Sequence, residues 1–161
     1  FYHYFTSKEE LFIEGWEQFI FTSMEELTES LFKQTDSVEQ FLREYFLFPK
    51  YFLQWIESIG LEDIKGMYVL MFNGLDMFPY LFNKMLDTYR SQIALLTELI
   101  ETGKTNKEIR EDVPEYATAL QIVSTLEGLF FVVMALDKDT LDTIDTYLSS
   151  MFDTLWRWIR R

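Results

Sequence analysis

Apolar residues recur along this chain at steps of three and four, with polar residues between them, which is the spacing that gives a helix one buried face. Leu11 or Phe12, Trp16, Phe19 or Ile20, Met24, Leu27 and Leu31 make the first such stripe, opposed by Glu14, Glu17, Glu25, Glu26 and Glu29. Ser7-Lys8-Glu9-Glu10 ahead of it has the form of a capping box: the Ser7 hydroxyl accepts the N–H of Glu10, and the Glu10 side chain reaches back to the N-cap amide. The pattern therefore predicts one long amphipathic helix over residues 8–33. Thr35-Asp36-Ser37 supplies a turn, and Val38, Phe41, Leu42, Tyr45, Phe52, Ile56 and Ile59 resume the helical period. Pro49 kinks or splits that second stretch, so residues 38–59 are one bent helix or two.

A short helix over 62–72 follows, with Asn73-Gly74 as its stop. Pro79 opens a helix marked by Phe82, Met85, Leu86, Tyr89, Ile93, Leu96 and Ile100 and ending near Gly103. Residues 104–112 read as a polar connection. Pro114 opens the next helix, apolar on one stripe at Leu120, Val123 and Leu126 and nearly all round from Leu129 to Leu136, which requires two packing partners. The stripe Leu141, Ile144, Leu148, Met151 or Phe152, Leu155 and Ile159 completes the chain, and Arg157, Arg160 and Arg161 suit a helix C-terminus. No alternating, turn-bounded segment competes, so the expected fold class is all-α, a bundle of roughly six helices.

The 161 residues allow one domain of ordinary size, and 48% hydrophobic content with only 6 Gly and 3 Pro is enough for a real core. Lys and Arg total 14 against 27 Asp and Glu, a formal charge of -13, so the surface as a whole repels phosphate. Absence of cysteine removes disulfides, thiolate metal sites and thiol catalysis, and fits a cytoplasmic protein. The longest apolar run, Gly128 to Leu136, is far short of the about 18 residues of a membrane helix, so no membrane partner is expected. The single histidine, His3, eliminates paired-histidine metal motifs, and the six scattered glycines form no phosphate-cradling loop. The sequence thus calls for no metal, no cofactor and no catalytic centre. Phe1 stands inside an aromatic cluster with no initiator Met, as in a fragment whose natural start lies upstream.

The segment Phe1-Tyr2-His3-Tyr4-Phe5-Thr6-Ser7-Lys8-Glu9-Glu10-Leu11 resembles the end of the DNA-binding region of tetracycline-repressor-type (TetR) transcriptional regulators. In that family an aromatic run closes the recognition helix, and Ser/Asn-Lys-Glu-Glu/Asp-Leu opens the long fourth helix. Gly103 with Ile109 to Pro114, and Leu126-Glu127-Gly128-Leu129, resemble the same family more weakly. The resemblance implies a remnant of the helix-turn-helix domain at 1–6 and a ligand-binding and dimerisation domain at 7–161, with 7–33 as connecting helix. Tyr2 and His3 can donate to backbone phosphates, and Lys8 with the free N–H groups of its helix makes an anion-binding end.

A regulator of this type needs a dimer interface and a ligand cavity, because helix-turn-helix proteins read paired half-sites. The interface is expected on the last two helices, at Leu120, Val123, Glu127, Gly128 and Phe131 and at Leu141, Ile144, Leu148, Phe152 and Leu155; both stripes packing within one subunit is the alternative. The cavity is expected among Phe48, Tyr51, Phe52 and Trp55, then Met67, Tyr68, Met71 and Phe72, and finally Phe82, Met85, Tyr89, Phe130 and Met134, a lining that suits apolar or aromatic molecules. Glu127, within an apolar stretch, is read as hydrogen-bonded at the subunit interface in preference to receiving a cation. The function expected is a ligand-responsive repressor: a homodimer whose small hydrophobic effector moves the connecting helix and so alters operator DNA binding. The rival reading is a helical carrier or interaction module for hydrophobic ligands, without a DNA role.

Overall fold

The computed structural model describes residues 5–58, 60, 64–133 and 143–161, and among these the chain is helical with no strand. Helix α1 spans Lys8–Trp16, a π-helical segment covers Glu17–Thr22, and α2 spans Ser23–Gln34. The three follow one another without a break, so the predicted rod exists but carries a register change in its middle. π-helical turns are rare and displace the backbone bonding by one residue. Here the Thr22 and Ser23 hydroxyls donate to the carbonyls of Glu17 and Gln18, at 3.0 and 3.1 Å, holding the widened turn.

Next come α3 (Val38–Phe46) and α4 (Phe48–Ser58). The break falls at Leu47, and Pro49 takes a first-turn position in α4, where its missing N–H costs nothing. Helix α3 is capped twice. Ser37 Oγ accepts from Gln40 N–H at 3.1 Å, and the Glu108 carboxylate, 70 residues along the chain, accepts from Val38 N–H at 3.0 Å and from Glu39 N–H. Helices α5 (Ile64–Met77), α6 (Pro79–Thr105), α7 (Glu115–Val133) and α8 (Ile144–Ile159) complete the described chain.

Gly74, expected to stop a helix, does not, whereas α6 ends at Thr105, near Gly103 as expected. Gly74 lies inside α5, where a Cβ would come within 2.3 Å of the Phe12 ring, so its absence lets α1 press against α5. Gly103 lies inside α6, buried against Ile109 and Val38. At Gly74 tertiary packing overrides the local stop signal, and at both positions the missing side chain serves as space.

The larger core gathers Leu31, Phe41, Leu42, Phe46, Leu96, Ile100, Ile122, Leu148, Phe152 and Ile159, with α6 and α7 as its most extensive helix pair. A smaller core of Trp16, Phe21 and Leu81 joins the rod to the start of α6, with Phe12, Ile13, Met71, Leu75, Phe78 and Met85 packed around it. The C-terminus is tied down by a bridge between Ile109 and Arg160, in which Arg110 N–H donates to Ile159 O at 2.9 Å.

Candidate functional site

The Glu127 carboxylate is half-buried on the flank of the bundle. Glu127 of α7 sits between buried Leu126 and exposed Gly128, on the flank of the helix turned toward α5 and α6. Tyr89 of α6 donates a hydrogen bond to it, and Tyr45 of α3 and Tyr68 of α5 lie close enough to feel its charge. Burial pushes the Glu127 carboxyl above the ordinary carboxylate range, and the Tyr89 hydrogen bond pulls it part of the way back. Burial, and then the Glu127 charge, push all three phenols well above the usual tyrosine range. They remain neutral hydroxyls at any physiological pH. Among the described residues no Lys or Arg neutralises Glu127.

Aromatic rings extend the cluster. Phe131, one turn beyond Glu127, stands 6.5 Å from the Tyr68 ring and 5.5 Å from Phe72. Tyr45 stacks on Phe41 at 6.0 Å. Four helices thus contribute to one acidic, phenol-rimmed centre. Tyr68 and Tyr89 were among the residues expected to line a cavity, whereas Tyr45 was read only as core. Its signal was available: it lies on the same face of α3 as Phe41, with a polar tip that must end against something.

The rest of the expected lining divides. Phe48, Phe52 and Trp55 form a half-buried ladder along α4, with ring centroids 6.1 and 5.9 Å apart. Tyr51 turns outward and donates to Glu44 at 3.1 Å. Met71 and Met85 pack on the small core, and Met67 is half-buried. Phe72 and Phe82 are 47% and 44% exposed, so Phe82 in particular faces solvent where a cavity position was expected. Phe130's side chain and Met134 lie outside the described residues.

The expected interface needs a larger correction. Val123, Ile144, Leu148 and Phe152 are buried within this one chain, Leu148 and Phe152 completely. The stripe of α8 packs on α3, where Phe152 meets Phe46 at 5.9 Å and carries the Arg43 guanidinium 4.4 Å above its ring. These side chains hold the subunit together and present nothing to a second copy. Glu127 likewise turns inward to Tyr89. Leu120, Gly128 and Phe131 are exposed, Leu155 is half-buried, and Leu141 lies outside the described residues. A groove of about 530 Å³ runs along the outer faces of α7 and α8, between Gln121 and Thr125 on one side and Tyr147, Met151, Leu155 and Trp158 on the other. Tyr147, Met151, Leu155 and Trp158 are themselves spaced by three and four, so the sequence carries a second stripe on α8 beside the buried one.

At the amino end, Tyr2 and His3 lie outside the described residues and Lys8 is exposed. Ser7 Oγ accepts from Glu10 N–H at 3.1 Å as expected, but the Glu10 carboxylate accepts from Thr6, one residue before the predicted partner. Glu9 accepts from its own N–H and from Ser7, which holds its carboxyl below the usual range. The Glu9 and Glu10 carboxylates thus stand at the helix end offered to a phosphate.

An acid of the rod also reaches α6. Glu17, at the start of the π-helical segment, accepts from Tyr80 Oη at 2.6 Å and from Lys84 Nζ, and these bonds hold its carboxyl below the ordinary range. Lys84 also covers the Phe21 ring at 4.9 Å.

No family model, no curated protein and no solved structure matches this chain. Among the described residues no helix is long and apolar enough to cross a membrane, and no acidic or histidine cluster has the make-up of a metal site.

Proposed function

We propose that this chain is the sensing and dimerisation part of a TetR-type, ligand-responsive transcriptional repressor, controlled by a small apolar or aromatic effector and without catalytic activity. The observation that carries the reading is the connection between the rod and the buried cluster. Glu17 ties the rod, whose start bears the motif, to Lys84 of α6, and Tyr89 of the cluster lies five residues further along the same helix, roughly 7.5 Å. A molecule lodged among the tyrosines would press on α6, and α6 would carry the displacement to the rod. An effector that favours one rod position by about 1–3 kcal/mol changes the affinity of attached DNA readers several-fold to a hundred-fold.

The outer groove of α7 and α8, lined by exposed Tyr147 and Trp158, supports the homodimer part of the proposal. A Cβ at Gly128 would meet nothing within 4 Å among the described residues, which leaves room for close approach by a partner helix. Native mass spectrometry of the chain is expected to give a species of twice 19.4 kDa. A monomer at all concentrations would overturn the dimer. Reading the gene upstream of Phe1 is expected to add a basic helix-turn-helix, and the extended protein to release operator DNA when effector is added. A start codon at that point, or an unrelated domain, would sink the regulator.

A further inference from the structure

We propose that the π-helical segment Glu17–Thr22 is a register switch that Glu17 locks in its widened form: with that lock removed, the segment reverts to regular helix and turns α1 about its own axis relative to α2. The device rests on the geometry of the rod alone, so it stands or falls apart from the regulator reading.

The widened turn answers a demand of packing. In a regular helix residues five apart point about 140° away from each other, since each residue turns the chain by about 100°. Trp16 and Phe21 are five apart, yet both are buried in the small core, with ring centroids 5.9 Å from each other. π-Helical bonding spans five residues and so brings such a pair to one side. Contacts with α6 fix the segment in this form. Tyr80 Oη donates to the Glu17 carboxylate at 2.6 Å, and Lys84 Nζ donates to it as well. Lys84 also lies 4.9 Å above the Phe21 ring, so one ammonium holds both ends of the segment.

Reversion adds back the turn and rise of one residue, about 100° and about 1.5 Å. Each side chain of α1 then takes the place its predecessor held: Phe12 that of Leu11, Ile13 that of Phe12, and Glu17 that of Trp16. Leu11, Phe12 and Ile13 are consecutive, apolar and all half-buried, so α1 keeps an apolar side chain at the Phe12 place in both registers. At the Trp16 place it does not, because reversion would carry the Glu17 carboxylate into the small core, which a charge enters only at high cost. Glu17 thus opposes the switch twice, by its bonds to α6 in one register and by its burial in the other.

The chain has no cysteine, so introduced cysteines take spin labels without competition. Exposed Glu14 of α1, Glu26 of α2 and Glu98 of α6 are the positions, and pulsed electron paramagnetic resonance reads the distances, with labelled chain diluted in unlabelled chain. In the parent the Glu14–Glu98 pair is expected to give one distance. Glu17→Ala is expected to add a second, shifted by about 5 Å, while the Glu26–Glu98 distance stays fixed. Deleting Gln18 as well removes the surplus residue, and the second distance is expected to vanish. Should Glu17→Ala fold poorly, Glu17→Leu, which gives the small core an apolar side chain in the reverted register, decides in its place. A single unchanged Glu14–Glu98 distance in the folded Glu17 variant overturns the switch. So does a second distance that is already present in the parent, that survives deletion of Gln18, or that the Glu26–Glu98 pair shares. The regulator reading fails separately, on the mass and DNA-release experiments above.

Discussion

Replacing Gly103 by alanine pits two opposing effects against each other. Within a helix, alanine in place of glycine ordinarily gains about 0.5–1 kcal/mol, because the unfolded chain loses backbone freedom. At Gly103 the added Cβ would stand 2.7 Å from Ile109 Cδ1, 3.0 Å from Ile109 Cγ1 and 3.4 Å from Val38 Cγ1. Ile109 and Val38 are 1% and 3% exposed, so neither side chain has space to withdraw into. Nor can the backbone under Ile109 drift, since Ile109 N–H donates to Gly103 O at 3.0 Å and Arg110 N–H to Ile159 O at 2.9 Å. Overpacking of this kind costs about 1–3 kcal/mol. Gly15→Ala is the control: a Cβ there meets nothing within 4 Å, so only the favourable part remains. The backbone contribution is common to both variants, and their difference isolates the steric cost, about 1–3 kcal/mol. At about 2–4 °C per kcal/mol for a chain of this size, Gly15→Ala should melt a few degrees above the parent, and Gly103→Ala clearly below Gly15→Ala. Thermal unfolding followed by circular dichroism reads both. A Gly103→Ala variant that melts with Gly15→Ala would show that α6 and the 106–113 loop do not touch at this point.

Two other substitutions test connections described above. Glu108→Ala removes the acceptor for the Val38 and Glu39 N–H groups at the start of α3 and should cost about 1–2 kcal/mol in urea unfolding, with Ser37 limiting the damage; an unchanged midpoint would refute the cap. For Glu127 the folded state favours the protonated acid, because burial raises its pKa above 4.5, so the stability it permits is complete at acid pH and declines as the pH climbs through the raised value. Glu127→Gln has no proton to lose and should gain on the parent in melting temperature from acid to neutral pH; parallel pH profiles would refute the buried carboxylate.

The helical elements were legible because their signals are local. The N-cap at Ser7, the helix start at Pro79 and the stripes of α3 and α8 appear where the spacing placed them. Gly74 does not stop its helix because a glycine kept for closeness looks in sequence like a glycine kept for flexibility, and only the neighbour, Phe12, tells them apart. The same holds for the cap on α3, whose acceptor Glu108 is remote in the chain. At the candidate site, Glu127 stood out as a charge in an apolar stretch, but the direction it faces depends on which side of α7 meets α6. That choice is made by packing between helices, and it also decided that Ile144, Leu148 and Phe152 serve one subunit's interior.

The π-helical segment Glu17–Thr22 has a consequence for chain length. Its widened turn holds one residue more than a regular helix needs to cover the same rise, so the rod stores a surplus residue at this point and nowhere else. Removing one residue within the segment would let the bonding return to the ordinary pattern, with Trp16 still aimed at the small core and Leu31 at the large one. An insertion or deletion elsewhere in the rod has no such reserve: each residue turns the helix by about 100° and would swing one of those two faces out of its core. Shortening of this rod is therefore confined by geometry to this segment, apart from Glu17 and Phe21, whose side chains hold it to α6 and to the small core.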